Sequence, residues 1–197
     1  MLAVLLTMLM ASSCLRKSTE DINVDLFFGA EKITADGRDL YAENDSSVLF
    51  KGANWRTGQT SRSGNFSYIT SPKNKFALGI TIPGVGPDHY VNISIWGRGL
   101  NEKTHLVAGS TTPKLLYQST NEALRYEGEW AMLKLEFFIP PTYTDEELKI
   151  YVWNNSNDTI FFDDLSIRLA STKPYPTYSE EAIHIEMDTS EYISILE

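Results

Sequence analysis

Apolar and polar residues alternate in short runs from about Asp25 to Ala170, and clusters of Gly, Pro, Asn and Asp separate the runs. Phe76 to Ile82 (FALGITI) alternates large and small side chains. It stops at Pro83-Gly84, ahead of the turn cluster Val85-Gly86-Pro87-Asp88. Tyr90 to Trp96 (YVNISIW) places Val91, Ile93 and Ile95 on one face and Tyr90, Asn92, Ser94 and Trp96 on the other. Trp130 to Ile139 sets Leu133, Leu135, Phe137 and Ile139 on one side and ends at Pro140-Pro141. Leu148 to Trp153 opposes Leu148, Ile150 and Val152 to Lys149, Tyr151 and Trp153. A polar turn from Asn154 to Asp158 then leads to a last run, Ile160 to Leu169. Because the period is two throughout and no long amphipathic helical window competes, the pattern predicts an all-β chain of antiparallel strands, in a sandwich or barrel.

The two ends depart from this pattern. Met1 to Met10 is apolar apart from Thr7, too short to span a bilayer and suited to the core of a signal peptide. Ala11-Ser12-Ser13 ahead of Cys14 resembles the bacterial lipobox, although no Lys or Arg precedes the apolar run and Ala11 stands where Leu is commoner. This resemblance implies that residues 1–13 are a lipoprotein signal peptide and that acyl chains on Cys14 hold the chain to a membrane, with residues 14–25 as a polar tether. The expected location is the cell envelope, at the outer membrane in a Gram-negative cell. Residues 171–181 form a Pro-rich linker. Residues 182–197 begin a strand and then a helix-like turn, as though a second domain starts there and is cut short. A tail that packs back on the sandwich is the alternative.

The 197 residues suit one domain with terminal extras. A formal net charge of −9 repels phosphate backbones, which argues against nucleic acid and is compatible with neutral glycans and cations. Cys14 is the sole cysteine, so no disulfide within the chain supports the fold. His89, His105 and His184 have no metal-ligand spacing, and neither a nucleophile elbow nor a phosphate loop is present. The acidic runs Glu127/Glu129 and Asp145-Glu146-Glu147 read as solvated turns. No catalytic residue is assigned.

The alternation itself offers a binding surface. Sugars present flat patches of C–H edged by hydroxyls, which aromatic rings and planar polar groups match. If the aliphatic faces form the core, then Tyr151 and Trp153 point outward with Lys149, and Tyr90 and Trp96 point outward with Asn92, Ser94 and Arg98. Trp55, in the loop KGANWRTGQ, is a loop-borne alternative. The reverse assignment, with the aromatics in the core or beneath a loop, leaves no such surface. Trp130, opening a strand after a glycine, reads as core.

Five segments in order carry a family resemblance. They are Gly29-Ala30-Glu31, Arg62-Ser63-Gly64-Asn65-Phe66-Ser67, Tyr90 to Trp96, Gly128-Glu129-Trp130, and the closing Ile160-Phe161-Phe162-Asp163-Asp164-Leu165-Ser166-Ile167. Across roughly residues 26–169 the chain resembles the galactose-binding-like jelly rolls, which include carbohydrate-binding modules and domains of Bacteroidetes surface lipoproteins. The resemblance implies a two-sheet antiparallel jelly-roll β-sandwich over residues 26–170 and carbohydrate as the partner. It also implies a structural calcium held by Glu31 and Asp163 with carbonyls near Ser63 and Gly64, Asp164 pointing to the other face. The implied function is non-catalytic glycan binding that brings an attached domain to a polysaccharide or glycoconjugate. The rivals are a spacer or protein-interaction module without a glycan site, and a jelly-roll glycoside hydrolase.

Overall fold

The computed structural model describes residues 23–112 and 115–171. Cys14, the expected signal peptide, the expected linker beyond Ser171, His184 and the segment 182–197 lie outside the described residues. The described residues form thirteen strands. They are β1 (Asn23–Phe28), β2 (Asp39–Tyr41), β3 (Leu49–Lys51), β4 (Arg56–Thr57), β5 (Ser67–Thr70), β6 (Phe76–Pro83), β7 (Tyr90–Arg98), β8 (Thr104–Ser110), β9 (Tyr117–Thr120), β10 (Ala123–Glu127), β11 (Trp130–Phe138), β12 (Glu147–Asn154) and β13 (Ile160–Ala170). A single 3₁₀ turn, Ala53–Trp55, interrupts them. β1 opens at Asn23, so Asn23 to Asp25, read from sequence as tether, belong to the sandwich.

One sheet runs β10-β11-β7-β13-β5-β4 with β1 also on β13, and the second runs β6-β12-β8-β9. β2 and β3 form a separate hairpin. Every strand pairing is antiparallel. The result is an all-β sandwich of two antiparallel sheets, one of the two architectures that the two-residue period predicts and the one that the jelly-roll resemblance implies.

The core lies between the aliphatic faces. Val91, Ile93 and Ile95 of β7 and Leu148, Ile150 and Val152 of β12 are all buried within it. Burying one such side chain is worth roughly 1.5–3 kcal/mol, so a one-residue slip of either strand, which would put its whole apolar set in water, is strongly opposed. The opposite faces of the same strands, with Trp96 and Trp153, lie outside the core cluster.

Two irregularities shape the surfaces. β13 pairs with β5 over Ile160 to Phe162 and with β1 over Leu165 to Ala170. Between them a bulge carries Asp163 and Asp164, and Asp164 takes a left-handed φ of 50°. β6 is bulged opposite β12, where Leu78 has φ 61°.

Candidate functional site

The outward face of the four-stranded sheet gathers aromatic residues from separate strands. Register sets Phe76 of β6 and His105 of β8 on either side of Trp153 of β12. The Phe76 and Trp153 rings are near-parallel at 9° with centroids 6.3 Å apart. The His105 ring lies 5.7 Å from Trp153 on the other side, tilted by 29°. Tyr151, two residues back on the same face, meets Phe76 at 6.0 Å. Beneath this layer Val107, the neighbour of Tyr151 on β8, is fully buried.

The row below holds Thr81, Lys149 and Gly109 on adjacent strands, and Tyr117 of β9 stands opposite Gly109. Burial pushes the Tyr151 hydroxyl pKa upward, and the neighbouring Tyr117 adds to the rise, so Tyr151 keeps its proton and can donate a hydrogen bond. Phe76 and Tyr117 remain 52% and 59% exposed. The face is therefore apolar and aromatic at one end, and hydroxyl- and ammonium-bearing at the other.

Of the residues selected from sequence, Tyr151 and Trp153 belong to this face. Tyr90, Asn92, Trp96 and Arg98 point outward too, but from β7 in the other sheet, so the core separates the two groups. The proposed stripe is thus two surfaces, not one site. Phe76, His105 and Tyr117 were not selected from sequence.

The β7 surface is largely covered. Trp96 is only 5% exposed. The Arg62 guanidinium lies 3.9 Å above its ring centre, and that of Arg125 lies at 4.7 Å. Tyr90 is buried against Phe138, with ring centroids 5.4 Å apart. Burial and the adjacent Glu136 carboxylate push its hydroxyl up to about 12. Arg98 is half-buried and pairs with Glu129 at 2.7 Å and with the Thr60 hydroxyl at 2.8 Å. Asn92 stands across the sheet from Glu136 and Arg168. Trp55 packs partly buried against the core at the 3₁₀ turn. Trp130 is buried but lies outside the core cluster, paired with Arg98 on the outward face.

The loop between β4 and β5 makes the cover, and carboxylates hold it. Glu31 Oε1 accepts the N–H groups of Asn65 and Phe66, each at 2.8 Å. Asp163 Oδ2 accepts those of Arg62 and Ser63 at 2.7 and 3.2 Å, and its Oδ1 accepts the N–H of Asp164. The bulge turns Asp164 toward the same loop instead of the far face. There it accepts from the Ser63 hydroxyl and from Arg62, both at 2.6 Å.

These residues do not fit a calcium shell. Ser63 offers the carboxylates an N–H and a hydroxyl, and the Gly64 carbonyl already accepts from Ser61. Glu31 Oε1 and both Asp163 oxygens accept from backbone N–H groups, whereas calcium requires carboxylate and carbonyl oxygens turned toward one point. Among the described residues no group of three or more acidic, His or Cys side chains could hold a metal ion.

Burial, and then the adjacent Asp164 carboxylate, raise the Asp163 carboxyl to about 7. The other acids singled out from sequence are tied to neighbours. Arg62 and Arg125 hold Glu127 below the usual carboxylate range, and hydrogen bonds from Thr111 and Thr112 do the same to Asp145. Both are thereby kept ionised and unsuited to donating a proton. His89 is buried, its Nδ1 accepting the Gly86 N–H, and burial lowers its pKa.

No protein-family model and no curated protein matches the chain. Among solved structures, a family 22 xylan-binding domain formerly termed x6b aligns over 75% of this chain and 96% of its own, with 13% identity and a TM-score of 0.44. A family 22 xylan-binding domain from Paenibacillus barcinonensis aligns over 76% and 95%, with 16% identity and a TM-score of 0.44. A family 16 carbohydrate-binding module aligns over 57% and 82%, with 15% identity and a TM-score of 0.40.

Proposed function

We propose that the sandwich is a non-catalytic carbohydrate-binding module and that the outward face of β6, β12, β8 and β9 is its glycan surface. The observation that carries this reading is the row Phe76, Trp153 and His105, backed by Tyr151. Adjacent strands lie about 4.8 Å apart, so the row runs for roughly 10 Å across the sheet. A row of rings at that spacing suits the apolar faces of successive sugars, and the Tyr151 hydroxyl, Thr81, Lys149 and Tyr117 suit their hydroxyl rims.

The ligand class is polysaccharide or glycoconjugate, and the module concentrates an attached domain on it. Acylation at Cys14 would place the module at the cell envelope, on the outer membrane of a Gram-negative cell. That part of the reading is motivated by the small residues ahead of Cys14, and palmitate labelling compared between wild type and Cys14→Ala tests it. Labelling that survives the substitution rejects the anchor.

A glycan-array screen followed by affinity electrophoresis of the full chain tests the binding surface. Retention by at least one polysaccharide, lost in Trp153→Ala, is the expected result. A folded chain that binds no glycan would instead make the module a spacer or protein-interaction unit.

A further inference from the structure

A hollow opens at the mouth of the sandwich, where two connections cross between the larger sheet and the smaller. The β7–β8 loop carries Gly99, Leu100 and Asn101, and the β9–β10 connection carries Asn121. Asn121 Nδ2 donates to the Glu102 carbonyl at 2.8 Å, which ties one crossover to the other. Asn101 is braced in turn, donating to Asp158 at 3.0 Å and accepting from the Lys103 N–H and the Thr104 hydroxyl. The hollow between them holds about 220 Å³. Its walls are therefore fixed by hydrogen bonds before anything enters.

The lining combines a ring, a carboxylate and amides. Tyr126 stands at the rim 74% exposed, and Glu129 and Asn121 flank it. Gly97 has no side chain because Leu100 lies where a β-carbon would stand, and this brings an apolar wall to the hollow. Gly99, at φ 81°, makes the turn that aims Leu100 there. The Arg98 guanidinium holds the Glu129 carboxylate at 2.7 Å, which fixes a planar acceptor at the edge.

We infer that this hollow is a second carbohydrate site, which takes one sugar ring at a chain end or branch. The ring of Tyr126 offers a stacking face, and Glu129 and Asn121 offer planar groups that meet paired hydroxyls. The volume is below the roughly 300–1,000 Å³ of pockets that enclose drug-sized ligands, which points to a single ring and not an internal stretch of polymer. Glu129 and the chain's charge of −9 favour a neutral ring over an anionic one. The inference shares with the proposed function only the choice of sugars as ligands, because the two surfaces lie in different parts of the sandwich.

The test is two-dimensional amide NMR of the full chain, titrated with the methyl glycosides of glucose, galactose, mannose, xylose and N-acetylglucosamine, then with the β-1,4-linked hexasaccharides of glucose, xylose and mannose. At least one methyl glycoside is expected to shift the amides of Gly99 to Asn101, Asn121 and Tyr126. Tyr126→Ala and Glu129→Gln, both at exposed positions, should each weaken that binding about tenfold or more, equivalent to roughly 1.4 kcal/mol. Hexasaccharides that move only the amides around His105, Tyr151 and Trp153 would leave the proposed function standing and overturn the mouth site. Shifts at the mouth alone would do the reverse, and shifts at neither would overturn both. Mouth shifts that persist undiminished in Tyr126→Ala also overturn the assignment.

Discussion

The Arg62 guanidinium lies 3.9 Å above the Trp96 ring while its Nη1 donates to Asp164 Oδ2 at 2.6 Å. One side chain thus seals an indole on the face of the larger sheet and closes an ion pair to the bulge in β13. Asp164 is nearly buried, so the pair is not one of the exposed bridges that contribute little. Trp96 is consequently a structural residue, and its role separates from that of Trp153 in two measurable quantities. Trp96→Ala should cost roughly 3 kcal/mol of stability in denaturant unfolding, with glycan retention unchanged. Trp153→Ala should cost of order 1 kcal/mol and remove glycan retention. Trp96→Ala abolishing retention in a folded chain would reverse the assignment of the two faces.

Asp163 sets a pH dependence whose direction follows from its burial. Its carboxyl rises from an ordinary 3.8 to about 7, so the fold favours the protonated form. The contribution is fully present below about pH 4 and is lost as pH rises through 7, with a slope of at most about 1.4 kcal/mol per pH unit from this one group. Asp163→Asn keeps an oxygen to accept the Arg62 and Ser63 N–H groups and cannot ionise. The stability of Asp163→Asn relative to wild type should therefore grow between pH 4 and 7 and level off above. His89, lowered by burial, loses stability in the opposite direction as pH falls, but it does so in both proteins and cancels from the difference. Urea unfolding at stepped pH measures the difference, and a flat profile would show that Asp163 stays ionised in the fold.

The sequence was legible where a regular period ruled and illegible where the backbone broke it. The core-facing sides of β7 and β12 accord with the alternation, because exposing six aliphatic side chains has no compensation. Phe76 does not follow. Uninterrupted alternation would seat it with Leu78, Ile80 and Ile82 in the core, but the bulge at Leu78 buries Ala77 and Leu78 together and turns Phe76 outward. Glu31 and Asp163 look alike in sequence whether a cation or backbone N–H groups meet them. Only the loop from Arg62 to Phe66, about a hundred residues from Asp163, decides in favour of the N–H groups. The cover over Trp96 comes from the same distant loop and leaves no local signal.

That loop predicts an insensitivity and a sensitivity. Because backbone N–H groups already meet Glu31 Oε1 and both Asp163 oxygens, the melting temperature should be the same in excess calcium and in chelator. A rise of several degrees with calcium would show that the loop can turn its carbonyls inward. Gly64 sits at φ 58°, and a β-carbon there would collide with the Glu31 carboxylate. Gly64→Ala should cost roughly 1–3 kcal/mol by calorimetric or denaturant unfolding, and Glu31→Gln, which keeps an acceptor, should cost less.

The ring row on the smaller sheet makes the last prediction. Phe76 and Trp153 are stacked with 9° between their planes, so each ring supports the other and removing either disturbs both. Phe76→Ala and Trp153→Ala should each weaken polysaccharide retention about tenfold or more, and the double variant should lose less than the sum of the two. Phe76 is 52% exposed, so its removal should change stability by no more than about 1 kcal/mol, and loss of binding cannot be attributed to unfolding. Since stacking on a neutral sugar involves no charge, retention should also hold when the salt concentration is raised, whereas contacts through Lys149 to an anionic glycan would be screened. Affinity electrophoresis of the three variants at low and high salt reads all of this together. Additive losses would mean that the two rings act independently of each other, and a steep fall with salt would make Lys149 the dominant contact in place of the aromatic row.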